Sequence, residues 1–211
     1  MKLASAPLRV ESIPRGCRRR VLLLAALGAS ALPSRVRAAV TLSKDVGGAL
    51  AQRGLTLDLR QLAHFDNVRV VPNPHVNVQI GARNAGAGLD IRYGWIGLSA
   101  GEDEFGASTI FLTAVMNITD PARRRNMIEP KPFPPADVKA EFNADAGWTS
   151  LTVPRSTFAL AEAALVNGIF SRRHQTLAWM VYLYRPLPGG GMPSGTQAAV
   201  VEAFHALRFS S

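Results

Sequence analysis

Residues 177–184 read LAWMVYLY, a run that is apolar at almost every position. A strand with one face in water alternates apolar and polar residues, whereas this run is apolar on both faces. We therefore interpret it as a central strand covered on both sides. The run at 110–116 (IFLTAVM) has the same character, and we predict a second central strand there.

Shorter runs with a period of two lie on the N-terminal side. Alternation at 55–60 (LTLDLR), 76–80 (VNVQI) and 89–93 (LDIRY) predicts half-buried strands, and 148–153 (WTSLTV) adds another. Turn-forming residues at 72–74 (PNP) and 81–88 (GARNAGAG) separate them.

Two helices are expected in the last third of the chain, and 40–53 is either an irregular lead-in or a short helix interrupted by Gly47 and Gly48. Pro154 and Thr157 introduce an apolar stripe at 158–167, which Gly168 would stop, and Thr196 can cap a second helix at 197–207. The sequence predicts an α+β fold, with a mostly antiparallel sheet of six or seven strands and two helices in the C-terminal third. A β-sandwich is the alternative.

The segment 120–137 (DPARRRNMIEPKPFPPAD) contains five prolines and no periodic pattern. We predict a long Pro-rich surface loop there. The part N-terminal to it has too few apolar helices to close a core alone. Residues 39–211 are therefore expected to form a single domain.

The charge of the chain is concentrated at its N-terminus. The 211 residues carry a formal charge of +9, of which the first 38 contribute +7. The remainder is close to neutral, so its short basic clusters at 123–125 and 172–174 do not predict a nucleic-acid surface. A single Cys excludes a disulfide framework.

The first 38 residues have the layout of a cleavable export signal. A basic N-terminal region ends at Arg20, an apolar run follows at 21–32, and Pro33 breaks it. Small residues favour cleavage between Ala38 and Ala39, with a site after Ala31 as the alternative. The apolar run is shorter than the roughly 20 residues that span a bilayer, so no stable membrane anchor is expected after cleavage.

The segment at 17–23 (CRRRVLL) resembles a twin-arginine export signal, with Arg18 and Arg19 as the arginine pair. The resemblance covers the leader alone and implies a periplasmic or secreted bacterial protein. The general secretory route, and a transit peptide or misassigned start, remain as alternatives. Cys17 precedes the apolar run and cannot be a lipidated cysteine of the mature protein.

Residues 97–101 (GLSAG) match the G-x-S-x-G pattern of serine hydrolases and make Ser99 a weak catalytic candidate. Partners would come from Asp120, Asp137, Asp145, His174 and His205. The pattern requires a helix after the serine, whereas 102–106 (EDEFG) reads as a charged turn. The sequence therefore favours a protein without catalytic activity but leaves the question open.

No metal site and no cofactor is predicted. His64, His75, His174 and His205 lack the spacing of metal ligands, and Glu202 with His205 on one helix face cannot saturate a metal. The alternating oxygen ligands Glu141, Asn143 and Asp145 lack the Glu that ends a calcium loop. The Gly-rich segment 188–195 lacks the Lys of a phosphate loop.

These observations predict an exported, non-catalytic binding or accessory protein of the cell envelope. Its partner would be another envelope protein or a small ligand. Two alternatives are a small serine hydrolase that uses Ser99, and a carrier of a metal or cofactor that is exported in folded form.

Overall fold

The computed structural model describes residues 40–70, 73, 74 and 76–211. Arg18, Arg19 and the proposed cleavage site at Ala38 and Ala39 lie outside the described residues, as does His75.

The described residues contain four α-helices, two short 3-10 helices and nine strands. The α-helices are α1 (Lys44–Gln52), α2 (Glu104–Ile118), α3 (Pro135–Phe142) and α4 (Ser194–Ala203). The 3-10 helices are Leu59–Leu62 and Pro121–Asn126. The strands are β1 (Leu55–Leu57), β2 (Asp66–Asn67), β3 (Ile80–Asn84), β4 (Leu89–Gly97), β5 (Ile128–Pro132), β6 (Ala146–Thr152), β7 (Ala163–Ser171), β8 (Thr176–Tyr184) and β9 (Leu207–Phe209).

Seven strands form one antiparallel sheet in the order β2-β3-β4-β8-β7-β6-β5, and β1 pairs with β9 separately. The predicted α+β class with a mostly antiparallel sheet is therefore confirmed. The LAWMVYLY run lies in β8, the middle strand of the seven, and every residue of β8 is buried. Its apolar character on both faces follows from this position.

Each face of the sheet carries its own apolar core. On one face, residues of α1, α3 and α4 pack with Tyr93, Met180 and Tyr182. On the other face, Phe111 and Val115 of α2 pack with sheet residues that include Trp179. Burial raises the pKa of Tyr93, Tyr182 and Tyr184, because a phenolate is poorly solvated in the protein interior. The sheet is thus the middle of three layers.

The strand predicted at 110–116 is wrong, because these residues lie within α2. A short apolar run has no period that separates a buried strand from a buried helix. The helix begins where the Asp103 side chain accepts a hydrogen bond from the Gly106 amide at 2.9 Å. The charged residues at 102–106 therefore start a helix.

The helix predicted at 158–167 is also wrong, because β7 begins at Ala163 and continues to Ser171. Pairing with β6 on one side and β8 on the other outweighs the apolar stripe. Gly168 lies within the strand, where an added Cβ would be 2.5 Å from the Phe111 ring. This glycine permits close approach of α2 and does not end a helix.

The segment 120–137 is ordered into regular structure, so the prediction of an irregular loop is wrong in this respect. It contains the second 3-10 helix, edge strand β5 and the start of α3. Its prolines occupy positions where an N–H is dispensable: Pro121 and Pro135 begin helices, and Pro130 and Pro132 lie on an edge strand.

Three smaller differences concern the ends of elements. The strand expected at 55–60 is cut short by the first 3-10 helix, and only residue 80 of 76–80 is in a strand. The helix expected at 197–207 begins at Ser194 and ends at Ala203.

Within the described residues no helix is both long and apolar enough to span a membrane.

Candidate functional site: an arginine-lined cleft

Ser99 is exposed in the turn between β4 and α2. A helix does follow the serine, contrary to the expectation from sequence. The turn is held by Gln175 at the tip of the β7–β8 hairpin: its side-chain oxygen accepts from the Glu102 amide at 3.1 Å, and its carbonyl accepts from the Leu98 amide at 2.7 Å.

The candidate partners of Ser99 are engaged elsewhere. His174 stacks on the Phe209 ring, and His205 pairs with Glu141. The Asp120 side chain caps the second 3-10 helix. Among the described residues no hydrogen bond joins the Ser99 hydroxyl to a histidine or a carboxylate. The structure therefore does not assemble a triad around this serine.

The candidate metal ligands also have separate tasks. Asp145 accepts a hydrogen bond from the Arg172 amide at 2.7 Å, and the Asn143 amide donates to the Ser210 carbonyl at 2.9 Å. Glu202 faces His64 at 3.8 Å rather than acting with His205. In the described part of the chain no three His, Cys, Asp or Glu side chains are grouped as metal ligands.

A cleft of about 670 Å³ opens at one end of the sheet. Its walls are the β3–β4 hairpin, residues 159–162 just before β7, and the last residues of β8. The volume lies within the range of small-molecule sites, roughly 300–1,000 Å³.

Three arginines and two carboxylates line this cleft. Arg83 donates two hydrogen bonds to Asp90, one of them from Nη2 at 2.7 Å. The Nε of Arg185 lies 2.8 Å from a carboxylate oxygen of Glu162. Arg92 is the third arginine, and its Nη2 is 3.7 Å from the nearest oxygen of Asp90. Because Asp90 is already bound by Arg83, the cleft retains uncompensated positive charge at Arg92.

The Arg92 guanidinium is largely shielded from water, with 17% of its side chain exposed. Arg92 lies on β4 between Gly81 of β3 and Val181 of β8. A Cβ on Gly81 would be 2.5 Å from Nη1, so the glycine makes room for the guanidinium. Nη1 is buried and has no hydrogen-bond partner among the described residues. Burial lowers the pKa of Arg92, which the charge of Asp90 opposes.

No protein-family model matches this chain, and no curated protein or solved structure matches it significantly. Its function is therefore inferred from the chemistry of the site itself.

Sequence reasoning missed the cleft arginines. Asp90 and Arg92 alternate with Leu89, Ile91 and Tyr93, so they read as the wet side of a half-buried strand. Arg83 lies in a segment rich in turn formers, and Arg185 follows a strand. The alternation at 89–93 therefore gave no sign that Arg92 is largely buried.

Proposed function

We propose that this protein is an exported, non-catalytic binding protein of the bacterial envelope that holds a small anionic ligand in the arginine-lined cleft. The twin-arginine-like leader at 17–23 supports export to the periplasm or beyond. The excess of arginines over carboxylates in the cleft lining, with part of the Arg92 side chain still exposed there, is the observation that carries the ligand assignment.

A guanidinium removed from water is unfavourable unless it gains a charged hydrogen-bond partner. Asp90 does not supply one, because its nearest oxygen is 3.7 Å away. A phosphate or carboxylate in the cleft would provide oxygens that arginine binds with strong, charge-assisted hydrogen bonds. The ligand would then bind the part of the Arg92 side chain that stays exposed in the cleft.

The lining of the cleft favours binding over chemistry. It contains no Ser, Thr, Cys, Lys or His, and burial raises the pKa of its one tyrosine, Tyr184, which keeps the phenol protonated. Its carboxylates, Asp90 and Glu162, are bound to arginines. Such a set of groups holds an anion in place but offers no activated nucleophile.

Calorimetric titration of the purified protein with inorganic phosphate and with acetate tests the proposal. We expect saturable binding of at least one of them, weakened at least about tenfold by Arg92→Met, which is about 1.4 kcal/mol. Arg60→Met is the control, because Arg60 is also an arginine with a neighbouring carboxylate, Asp58, but does not line the cleft. Absence of binding in the wild type, or equal affinity in Arg92→Met, contradicts the proposal.

A small serine hydrolase is the second candidate, favoured by the position of Ser99 between a strand and a helix. A fluorophosphonate probe distinguishes the two functions. Labelling of the wild type that disappears in Ser99→Ala would support the hydrolase. The binding-protein proposal expects no labelling of either protein, with an active serine hydrolase labelled in parallel as a control for the probe.

A further inference from the structure

The cleft has an apolar side next to its charged side. Arg83 and Arg92 lie on β3 and β4. Leu183 of β8 lies directly across from Asp90, so it borders the charged group on the same face of the sheet. Ala159, Leu160 and Ala161 continue the aliphatic wall from there. A ligand that satisfies both sides must itself have a charged end and an apolar end.

Leu160 extends this wall to the rim of the cleft. The residue is 97% exposed, the highest value among the exposed large apolar residues of the described part of the chain. A single exposed leucine is ordinary on a protein surface. Here, however, the leucine continues an aliphatic wall that ends beside an uncompensated arginine. An alkyl chain lying along residues 159–161 would cover the Leu160 side chain.

We infer that the ligand is an amphiphile with one phosphate or carboxylate group on a short alkyl chain, bound as a monomer in the arginine-lined cleft. This inference rests on the proposed function and adds the apolar part of the ligand. The anionic head binds at Arg92, and the chain packs against Leu160 and the alanines at 159 and 161. The same chemistry occurs in free amphiphiles and in lipid headgroups, and the monomer is preferred because the arginines that bind its head lie in a cleft.

Titration calorimetry with three probes tests the inference: inorganic phosphate, decyl phosphate below its critical micelle concentration, and the uncharged decyl maltoside. We expect decyl phosphate to bind at least about tenfold more tightly than inorganic phosphate, since each buried methylene contributes about 0.8 kcal/mol. Decyl maltoside should bind weakly or not at all. Leu160→Ser should weaken decyl phosphate about fivefold or more and leave inorganic phosphate unchanged.

Val201→Ser is the matched control, because Val201 is also an exposed aliphatic residue but lies on α4, outside the cleft. It should leave every affinity unchanged. Circular dichroism of each variant checks that it is folded, and both substitutions are at exposed positions where the fold tolerates change.

The outcomes separate this inference from the proposed function. If inorganic phosphate binds through Arg92 and decyl phosphate binds no more tightly, the amphiphile inference is overturned and the proposed function stands. If inorganic phosphate, decyl phosphate and acetate all fail to bind, both are overturned. Equal binding of decyl maltoside and decyl phosphate overturns the anionic head. Flotation with phosphatidylglycerol vesicles completes the test, because binding to vesicles without binding to decyl phosphate overturns the monomeric ligand.

Discussion

Arg92→Met is expected to stabilise the folded protein while it removes ligand binding. A residue that is retained for function often lowers stability, and Arg92 has the features of such a residue. Its guanidinium is mostly buried, its Nη1 is unpartnered, and its one acidic neighbour is 3.7 Å away. Methionine has a similar length and no charge to desolvate.

The expected magnitude follows from two opposing contributions. Removing the buried, unpartnered N–H group relieves a penalty of about 1–3 kcal/mol. Losing the attraction to Asp90 costs about 0.2–1 kcal/mol, because Asp90 is already paired with Arg83 and the two arginines repel each other. The net effect is a gain of about 1 kcal/mol in the free energy of unfolding. For a domain of this size the melting temperature should rise by about 2–4 °C.

Urea unfolding followed by circular dichroism measures this change, with Arg83→Met as the comparison. Arg83 makes the two hydrogen bonds to Asp90, so its loss should destabilise the protein by about 0.5–1 kcal/mol. The two substitutions are thus expected to act in opposite directions. A loss of more than about 1 kcal/mol in Arg92→Met would refute the reasoning, because it would identify Arg92 as a structural ion-pair partner.

Three further predictions concern the rest of the molecule. Gly168→Ala should destabilise the fold by about 1–3 kcal/mol in urea unfolding, because its Cβ would be 2.5 Å from the Phe111 ring; unchanged stability would contradict this packing. All three tyrosines have raised pKa values in the folded protein, so as the pH rises they lose their protons in the unfolded state before they do in the folded state. The free energy of unfolding should therefore fall above about pH 10. Tyrosinate absorbance should then appear together with the loss of circular dichroism, and tyrosinate formed in the folded protein would contradict it. Replacing Arg18 and Arg19 by Lys should reduce export, and N-terminal sequencing of the exported wild type should begin at Ala39.

The fold class could be predicted because β8 has an unambiguous pattern. A run that is apolar on both faces must be covered on both faces, and β8 is the middle strand of the sheet. The run at 110–116 has the same composition but forms part of α2. The two cases differ in their neighbours: Asp103 begins a helix before one, whereas β4 and β7 flank the other. Local sequence carries little information about such partners.

The arginine-lined cleft could not be predicted because tertiary pairing assembles it. Arg83 and Asp90 meet through the β3–β4 register, and the wall at 159–161 comes from a distant segment that was expected to be helical. Ser99 shows the opposite case, since its local pattern was visible in the sequence. In the described structure His174 stacks on Phe209 and His205 pairs with Glu141, so neither histidine serves Ser99. The sequence pattern does not show where these histidines lie.

Mapping of a bound anion by two-dimensional NMR tests the central claim most directly. Inorganic phosphate titrated into the isotopically labelled protein should shift the backbone amide signals of 83–92, 159–162 and 183–185, which surround the cleft. The same titration of Arg92→Met should leave these signals in place. Shifts that instead cluster around Ser99, or no shifts at all in the wild type, would contradict an anion site at Arg92.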